Sequence, residues 1–393
     1  MSEENKRQDD LPEETAPEKN AAPEAGRHAE KHHVPLIHIA KRETLPWQKA
    51  WGIRAAAILL SLVFMAVVSI VLTKENPFRL YGYIFQASFK SGSRFLRLLY
   101  ETAILLAIAL ALLPAFRMRF WNIGAEGQVL AGAFASVLCM LFIGDKIPSF
   151  LLILVMLAAG VAAGALWALI PAVFKAKWGT NETLFTLMMN YVIICIIDAS
   201  IQALFPKGTG TMGIVNGSSH AGWLPKIGNN YLLSILIIAV VTALMYAYMR
   251  YSKHGYEIQV VGESRNTARY IGINVGKVIL RTMALSGAIC GLTGFLLTSG
   301  YNHSVSTNTV GGRGFTAIMV CWLAKFNPVF MILTSLLICF LQRGASEIAS
   351  RCQINASYGD VLTGMVLFFI IGCEFFIQYE IHFRKKERET AHD

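Results

Sequence analysis

The chain has 393 residues, of which 54% are hydrophobic and only 15% charged, with 23 Phe, 14 Met and 32 Gly. Soluble domains carry about 25% charge, so the composition excludes an ordinary soluble enzyme and marks a polytopic membrane protein. The net charge of +10 lies in short basic clusters beside apolar runs, a pattern that orients membrane spans and argues against nucleic acid as partner.

Residues 1–40 are rich in Glu, Pro, Ala and Lys, which predicts a disordered tail. A charged tail of this length before the first apolar run speaks against a signal peptide. His28, His32, His33 and His38 fall in that solvated stretch and are not read as a metal site. Apolar windows long enough to cross a bilayer follow near 54–72, 97–116, 128–144, 149–174, 183–205, 231–250, 278–299 and 360–379. Between them, 73–96 carries Lys74, Arg79, Lys90 and Arg94 and reads as an amphipathic piece lying on the membrane surface.

The region 306–342 is ambiguous, because Gly311, Gly312, Gly314 and Pro328 divide it into two pieces too short to cross comfortably. Lys41, Arg42, Lys49 and Arg54 precede the first span, and His382, Arg384, Lys385, Lys386 and Arg388 follow the last. Both termini are therefore expected in the cytoplasm. An even number of crossings then requires two from 306–342, giving about ten transmembrane helices with a short broken pair that meets near the midplane. The predicted organisation is a tail at 1–40, an all-α membrane domain at 41–379 with a cytoplasmic loop at 251–277, and a basic tail at 380–393.

Polar residues inside such a chain are costly and point to function. The run FWNIGAEGQ places Asn122, Glu126 and Gln128 between apolar segments. On a helix Asn122 and Glu126 would share a face, with Gln128 pointing elsewhere. These residues read either as the wall or hinge of a path for a polar solute or as hydrogen-bonding glue between helices. Thr180 or Asn181 is a fair helix cap with Glu182 in the first turn, while Asn190 lies two turns inside and needs a partner. Asp198 lies deeper and has no evident counter-charge. In the loop 251–277, Ala268, Tyr270 and Ile271 could pack while Glu263, Arg265 and Arg269 stay wet, so a short helix between Gly262 and Gly272 could dock on another protein.

Catalytic patterns fall short. There is no GxxxxGK[ST], and the GxGxxG of Gly208, Gly210 and Gly213 has no strand before it, so it reads as a flexible turn. No Ser/His/Asp constellation occurs, and the seven cysteines show no CxxC or Cys/His spacing. No enzyme activity, cofactor or metal is expected. Gly160 with Gly164, and Gly287 with Gly291, form small-xxx-small faces for close helix packing.

The ordered segments FRMRFWNIGAEGQVLAG, GTNETLFTLMMNYV, ARYIGINVGK with LSGAICGLTGF, and GGRGFTAIMV followed by NPVF resemble the permease subunits of bacterial ABC importers in the branched-chain amino acid and sugar permease superfamily. NIGAEGQ with NPFRLYGYIF is most similar to the nucleoside-type branch, which works with basic-membrane-protein-type lipoproteins. The resemblance covers about residues 50–379 and implies two related halves, a second permease subunit, ABC ATPase partners, an extracytoplasmic binding lipoprotein and a plasma-membrane location. It makes Asn122, Glu126, Gln128, Asn181 and Asn190 expected pathway or gating positions. It also makes Gly262, Glu263, Arg265, Ala268, Arg269, Tyr270 and Gly272 the expected ATPase coupling element. Where the family reads GF-D/N-G-I-A-V-A-L-L-G, this chain has Thr316 and the bulkier Cys321 and Trp322, expected to narrow the short pair. The rival readings are an ion-coupled carrier using Asp198 and the broken pair, and a non-transporting receptor or scaffold.

Overall fold

Apolar segments fold as helices here because, in hydrocarbon, a backbone N–H or C=O must find its partner within its own segment. A computed structural model describes residues 37–41, 46–144, 146–205, 210–226, 228–353, 355 and 357–383. In chain order the helices are α1 (Trp47–Thr73), α2 (Pro77–Phe89), α3 (Gly92–Arg117), α4 (Ala125–Ile143), α5 (Ser149–Trp178), α6 (Glu182–Leu204) and α7 (Leu232–Tyr251). There follow α8 (Lys253–Glu263), α9 (Arg265–Tyr270), α10 (Val275–Leu297), which runs into a π-helical turn (Thr298–Asn302), α11 (Arg313–Leu323), α12 (Pro328–Arg351) and α13 (Ser357–Gln378). Among the described residues seven helices, α3–α7, α10 and α12, are long and apolar enough to cross a membrane. Helices α1 and α13 add 27 and 22 residues.

A separate small unit contains β1 (Ile37–Lys41) and β2 (Tyr379–Phe383), an antiparallel pair in which Ile39 faces Ile381. Alternating IHIAK and YEIHF suit strands, and the two strands straddle the expected tail boundaries at 40 and 379. The rest of both tails, 1–36 and 384–393, lies outside the described residues, as does Gly208.

Helix α3 is the axis of the helical unit, with every side chain from Thr102 to Phe116 buried. It packs against α10, α11, α12 and α7. Helices α4, α5 and α10 cross on glycine. A Cβ at Gly291 would collide with the backbone oxygen of Gly160, and one at Gly164 with that of Gly287. Without a hydrophobic driving force between helices in lipid, this close approach supplies the dispersion contact that holds them.

The ambiguous region resolves differently from expectation. Helix α11 is short, 11 residues or about 16 Å. Helix α12 is not short, because it continues past residue 342 to Arg351. The polar residues that appeared to end it are paired: Arg343 with Glu101 at 3.0 Å, and Glu347 with both Arg94 at 3.4 Å and Arg351 at 2.8 Å. Helix α2 is amphipathic as expected, but it packs Leu80 and Ile84 against Ala345, Ile348 and Ala349 of α12.

Two loops prove ordered. The expected connector 251–277 is mostly helical, with Ser252 and Ser264 capping α8 and α9. Arg281 of α10 donates to Glu257 of α8 at 2.7 Å and holds that carboxyl below the usual carboxylate range. The described part of the segment after α6, from residue 210, is tied down: Met212 N–H donates to Val305 O and Val215 N–H to His303 O.

Candidate functional site

Two helices begin inside the bundle, α4 after the break 118–124 and α11 after 303–312. A helix start leaves N–H groups without partners, which in a buried setting must be satisfied from elsewhere. Neither start has a side-chain cap of its own, since both N-cap positions are glycines, Gly124 and Gly312. Each is capped by a residue from another helix.

Asn190 of α6 caps α4. Its Oδ1 accepts from Gly127 N–H at 2.8 Å, and its Nδ2 donates to Ile123 O at 3.0 Å. One turn earlier on α6, Thr186 Oγ1 accepts from Ile123 N–H at 3.1 Å. Glu126 of α4 in turn caps α11: Oε1 accepts from Gly312 N–H at 2.8 Å and Oε2 from Gly314 N–H at 2.6 Å. The carboxylate thus sits in the first turn of its own helix and at the head of a second, where both dipoles favour negative charge. Gly314 is required by this approach, because a Cβ there would press on the backbone and carboxylate of Glu126.

The expected face-sharing of Asn122 and Glu126 is therefore incorrect. The helix starts at Ala125, which leaves Asn122 in the non-helical break. Asn122 instead forms a two-way amide pair with Gln128, at 3.2 and 3.4 Å, and reaches Ser286 of α10. It also accepts from Gly124 N–H at 3.0 Å. The structure brings Asn122, Glu126, Gln128 and Asn190 together, all buried. It does not include Asn181, which is exposed and caps α6 by accepting from Thr183 and Leu184 N–H. Asp198 is also apart, exposed on α6 and bonded to Gln202 at 2.7 Å.

Cys321 and Trp322 lie toward the other end of α11 from Gly312. Cys321 is buried and donates to Ala109 O, while Trp322 stacks on Trp121 at 5.5 Å and 19°. The two indoles flank a cavity of about 480 Å³ that also meets Arg117, Arg119, Lys325 and Gly262. Trp322 therefore shapes this cavity rather than the junction of α4 with α11. In the neighbouring element α8–α9, Gly262 is packed against Arg117 O, Ala268 is buried, and Glu263, Arg269, Tyr270 and Gly272 are exposed, with Arg265 partly so.

The sequence reading missed Thr186, although Glu182, Thr186 and Asn190 at four-residue spacing form one polar stripe on an apolar helix. It also missed the groups around the head of α11. Two adjoining cavities of about 640 and 440 Å³ share Arg97, Glu101 and Arg313. Glu101 pairs with both Arg97 at 3.2 Å and Arg343 at 3.0 Å.

Residues 94–371 match the family described as branched-chain amino acid transport system / permease component. The chain is 27% identical over 357 residues to the glucose ABC transporter permease protein TsgB13 of Haloferax volcanii, covering 88% of this chain and 93% of that one. It is 28% identical over 326 residues to the nucleoside ABC transporter permease protein NupB of Lactococcus lactis subsp. cremoris, covering 79% and 89%. To the guanosine ABC transporter permease protein NupP of Bacillus subtilis it is 27% identical over 268 residues, covering 66% and 76%.

Proposed function

The chain belongs to the branched-chain amino acid transport system / permease component family, and from that membership we propose that it forms half of the translocation path of an ATP-driven importer for a nucleoside-like solute. The nucleoside and guanosine permeases among its relatives support this choice of solute. Separate ATPase subunits supply the energy, a second permease subunit completes the path, and an extracytoplasmic lipoprotein delivers the solute. The subunit resides in the plasma membrane with both termini in the cytoplasm, where the basic clusters beside its first and last spans favour them.

The observation that carries this reading is the Glu126 bridge between α4 and α11. Two half-buried helix starts held by two hydrogen bonds form a contact that can open without unfolding either helix. Breaks in corresponding places of two halves suit an inverted repeat, whose broken helices carry the site in many transporters. Asn122, Gln128 and Asn190 fix one side of this contact. Asn181 sets the start of the helix that carries Asn190.

Movement reaches the junction from α8–α9. Gly262 abuts Arg117 at the end of α3, and the Arg117 guanidinium donates to Phe326 O just beyond α11 at 2.8 Å. An ATPase docked on Gly262 to Gly272 would push directly on the ends of both broken segments. Tyr270, 93% exposed beside buried Ala268, is the anchor this surface offers. Tyr270→Ala should weaken co-purification of the ATPase at least about tenfold, as loss of an aromatic anchor does.

In proteoliposomes holding both permeases, the ATPases and the lipoprotein, labelled guanosine should accumulate only with ATP. Uptake without ATPase subunits, or indifference to ATP, would overturn the reading. The ion-coupled alternative places the chemistry at Asp198, which is exposed and outside the junction. Asp198→Asn should leave uptake within roughly twofold of wild type, as exposed substitutions do.

A further inference from the structure

The depth of α11 decides what its outer side can face. It ends at Leu323 and α12 begins at Pro328, so the two share one membrane face, yet α11 has 11 residues against 24 in α12. These lengths are about 16 Å and about 36 Å, in a hydrocarbon core of about 30 Å. The head of α11 therefore reaches no further than the middle of the core. Residues 303–312 enter from the opposite face, where α10 and its π-helical turn end, as non-helical backbone. Such backbone is tolerated at membrane depth only where it is buried in protein or lines a water-filled cavity. Asn308 and Gly311 of this segment are exposed, so the surface they belong to looks onto water or another protein and not onto lipid.

The same surface continues down α11. Gly311, Phe315, Met319 and Trp322 recur three or four residues apart, which places them on one side. Phe315 and Met319 are each 41% exposed and Trp322 is 47% exposed. The opposite side, Gly314, Ala317, Val320 and Cys321, is buried, and α11 packs against α3, α4 and α12. Cavities lie at both ends of the outer side. Those of about 640 and 440 Å³ meet Arg313 at the head, and that of about 480 Å³ meets Trp121 and Trp322 at the foot. Between Arg313 and Trp322, Phe315 and Met319 alone are exposed among the described residues, so two polar-lined spaces are separated by two turns of apolar surface.

We propose that Phe315 and Met319 form the hydrophobic gate of the solute path, closed against the second permease subunit. The occupant follows from depth, since lipid cannot cover the exposed backbone from which this stripe descends. A short apolar constriction between two wet cavities blocks passage by shedding water, and it opens when its walls part. The gate rests on the reading of the chain as half of a translocation path and adds the residues that close it. Its motion follows from how the two ends of α11 are held. Glu126 holds the head through Gly312 and Gly314 N–H, while Arg117 holds Phe326 O just beyond the foot. Release of the head with the foot still fixed pivots α11, and Phe315 and Met319 swing with it.

The test uses the complete complex in proteoliposomes. Loaded with labelled guanosine and given no ATP, wild type should hold its contents. Phe315→Ala and Met319→Ala should each leak about tenfold faster or more, the effect of taking a large apolar side chain out of a contact. Phe315→Leu should stay close to wild type. A second measurement does not depend on how the alanine variants assemble: with Met319 replaced by p-benzoylphenylalanine, illumination should join this chain to the second permease subunit. Adducts with lipid, lipoprotein or ATPase alone overturn the gate, and so do assembled alanine variants that are as tight as wild type. If ATP drives no guanosine uptake in wild type, the nucleoside reading falls, whereas the leak and the adduct still decide the gate.

Discussion

Replacing Glu126 by Ala should cut solute uptake at least about tenfold while the ATPase still co-purifies. The substitution removes both acceptors of the α11 start, leaving the part-buried Gly312 N–H and the buried Gly314 N–H unpaired. Hydrogen bonds to a charged group contribute roughly 1.5–3 kcal/mol each, so even partial replacement by water costs more than a tenfold change in the junction's equilibrium. Glu126→Gln is not a rescue, because one of its two terminal atoms is a donor facing a donor. Glu126→Asp keeps the charge but is one methylene too short to reach both amides, so it should retain only part of the activity. Pull-down of the ATPase separates this outcome from misassembly, since α8–α9 does not touch Glu126. Equal uptake by wild type and Glu126→Ala would exclude the junction from the path.

Much of this arrangement was legible in the sequence for a physical reason. A polar run such as FWNIGAEGQ survives in hydrocarbon only where partners satisfy it, so its position alone marked a place where buried polar groups must meet. The spacing of Gly160, Gly164, Gly287 and Gly291 likewise announced close helix contact. What could not be read was which group satisfies which. The start of α4 at Ala125 depends on Asn190, a residue 63 positions further along the chain. Without that cap, local periodicity places Asn122 and Glu126 on one helical face, and the true partner of each is missed. Helix α12 was cut short for the same reason. Arg343, Glu347 and Arg351 look like the end of a span until α3 provides Arg94 and Glu101. The cavity at the head of α11 draws on side chains as distant as Tyr100 and Arg313, and no local pattern joins them.

Gly291→Val should abolish folded protein in the membrane, whereas Gly82→Ala should be tolerated or mildly stabilising. Gly291 lies where α10 meets α5 and α4 together. An added Cβ would overlap Gly160 O, and Gly132 of α4 also lies against the Gly291 backbone. The obstacle is the α5 main chain at Gly160 and Val161, so no rotamer change relieves it and the helices must separate. Separation would also pull α10 from Asn122 through Ser286 and disturb the amide pair beside the junction. Overpacking of flexible cores costs about 1–3 kcal/mol, and a rigid backbone crossing stands above that range. Gly82 in α2 has nothing within 4 Å of its Cβ position, so alanine there gains helix propensity of up to about 1 kcal/mol. Size-exclusion profiles of the solubilised protein after graded heating would distinguish the two. If Gly291→Val elutes and melts like wild type, the glycine crossing does not hold α4, α5 and α10 together, and the support it gives the Glu126 junction must come from α3 and α6 instead.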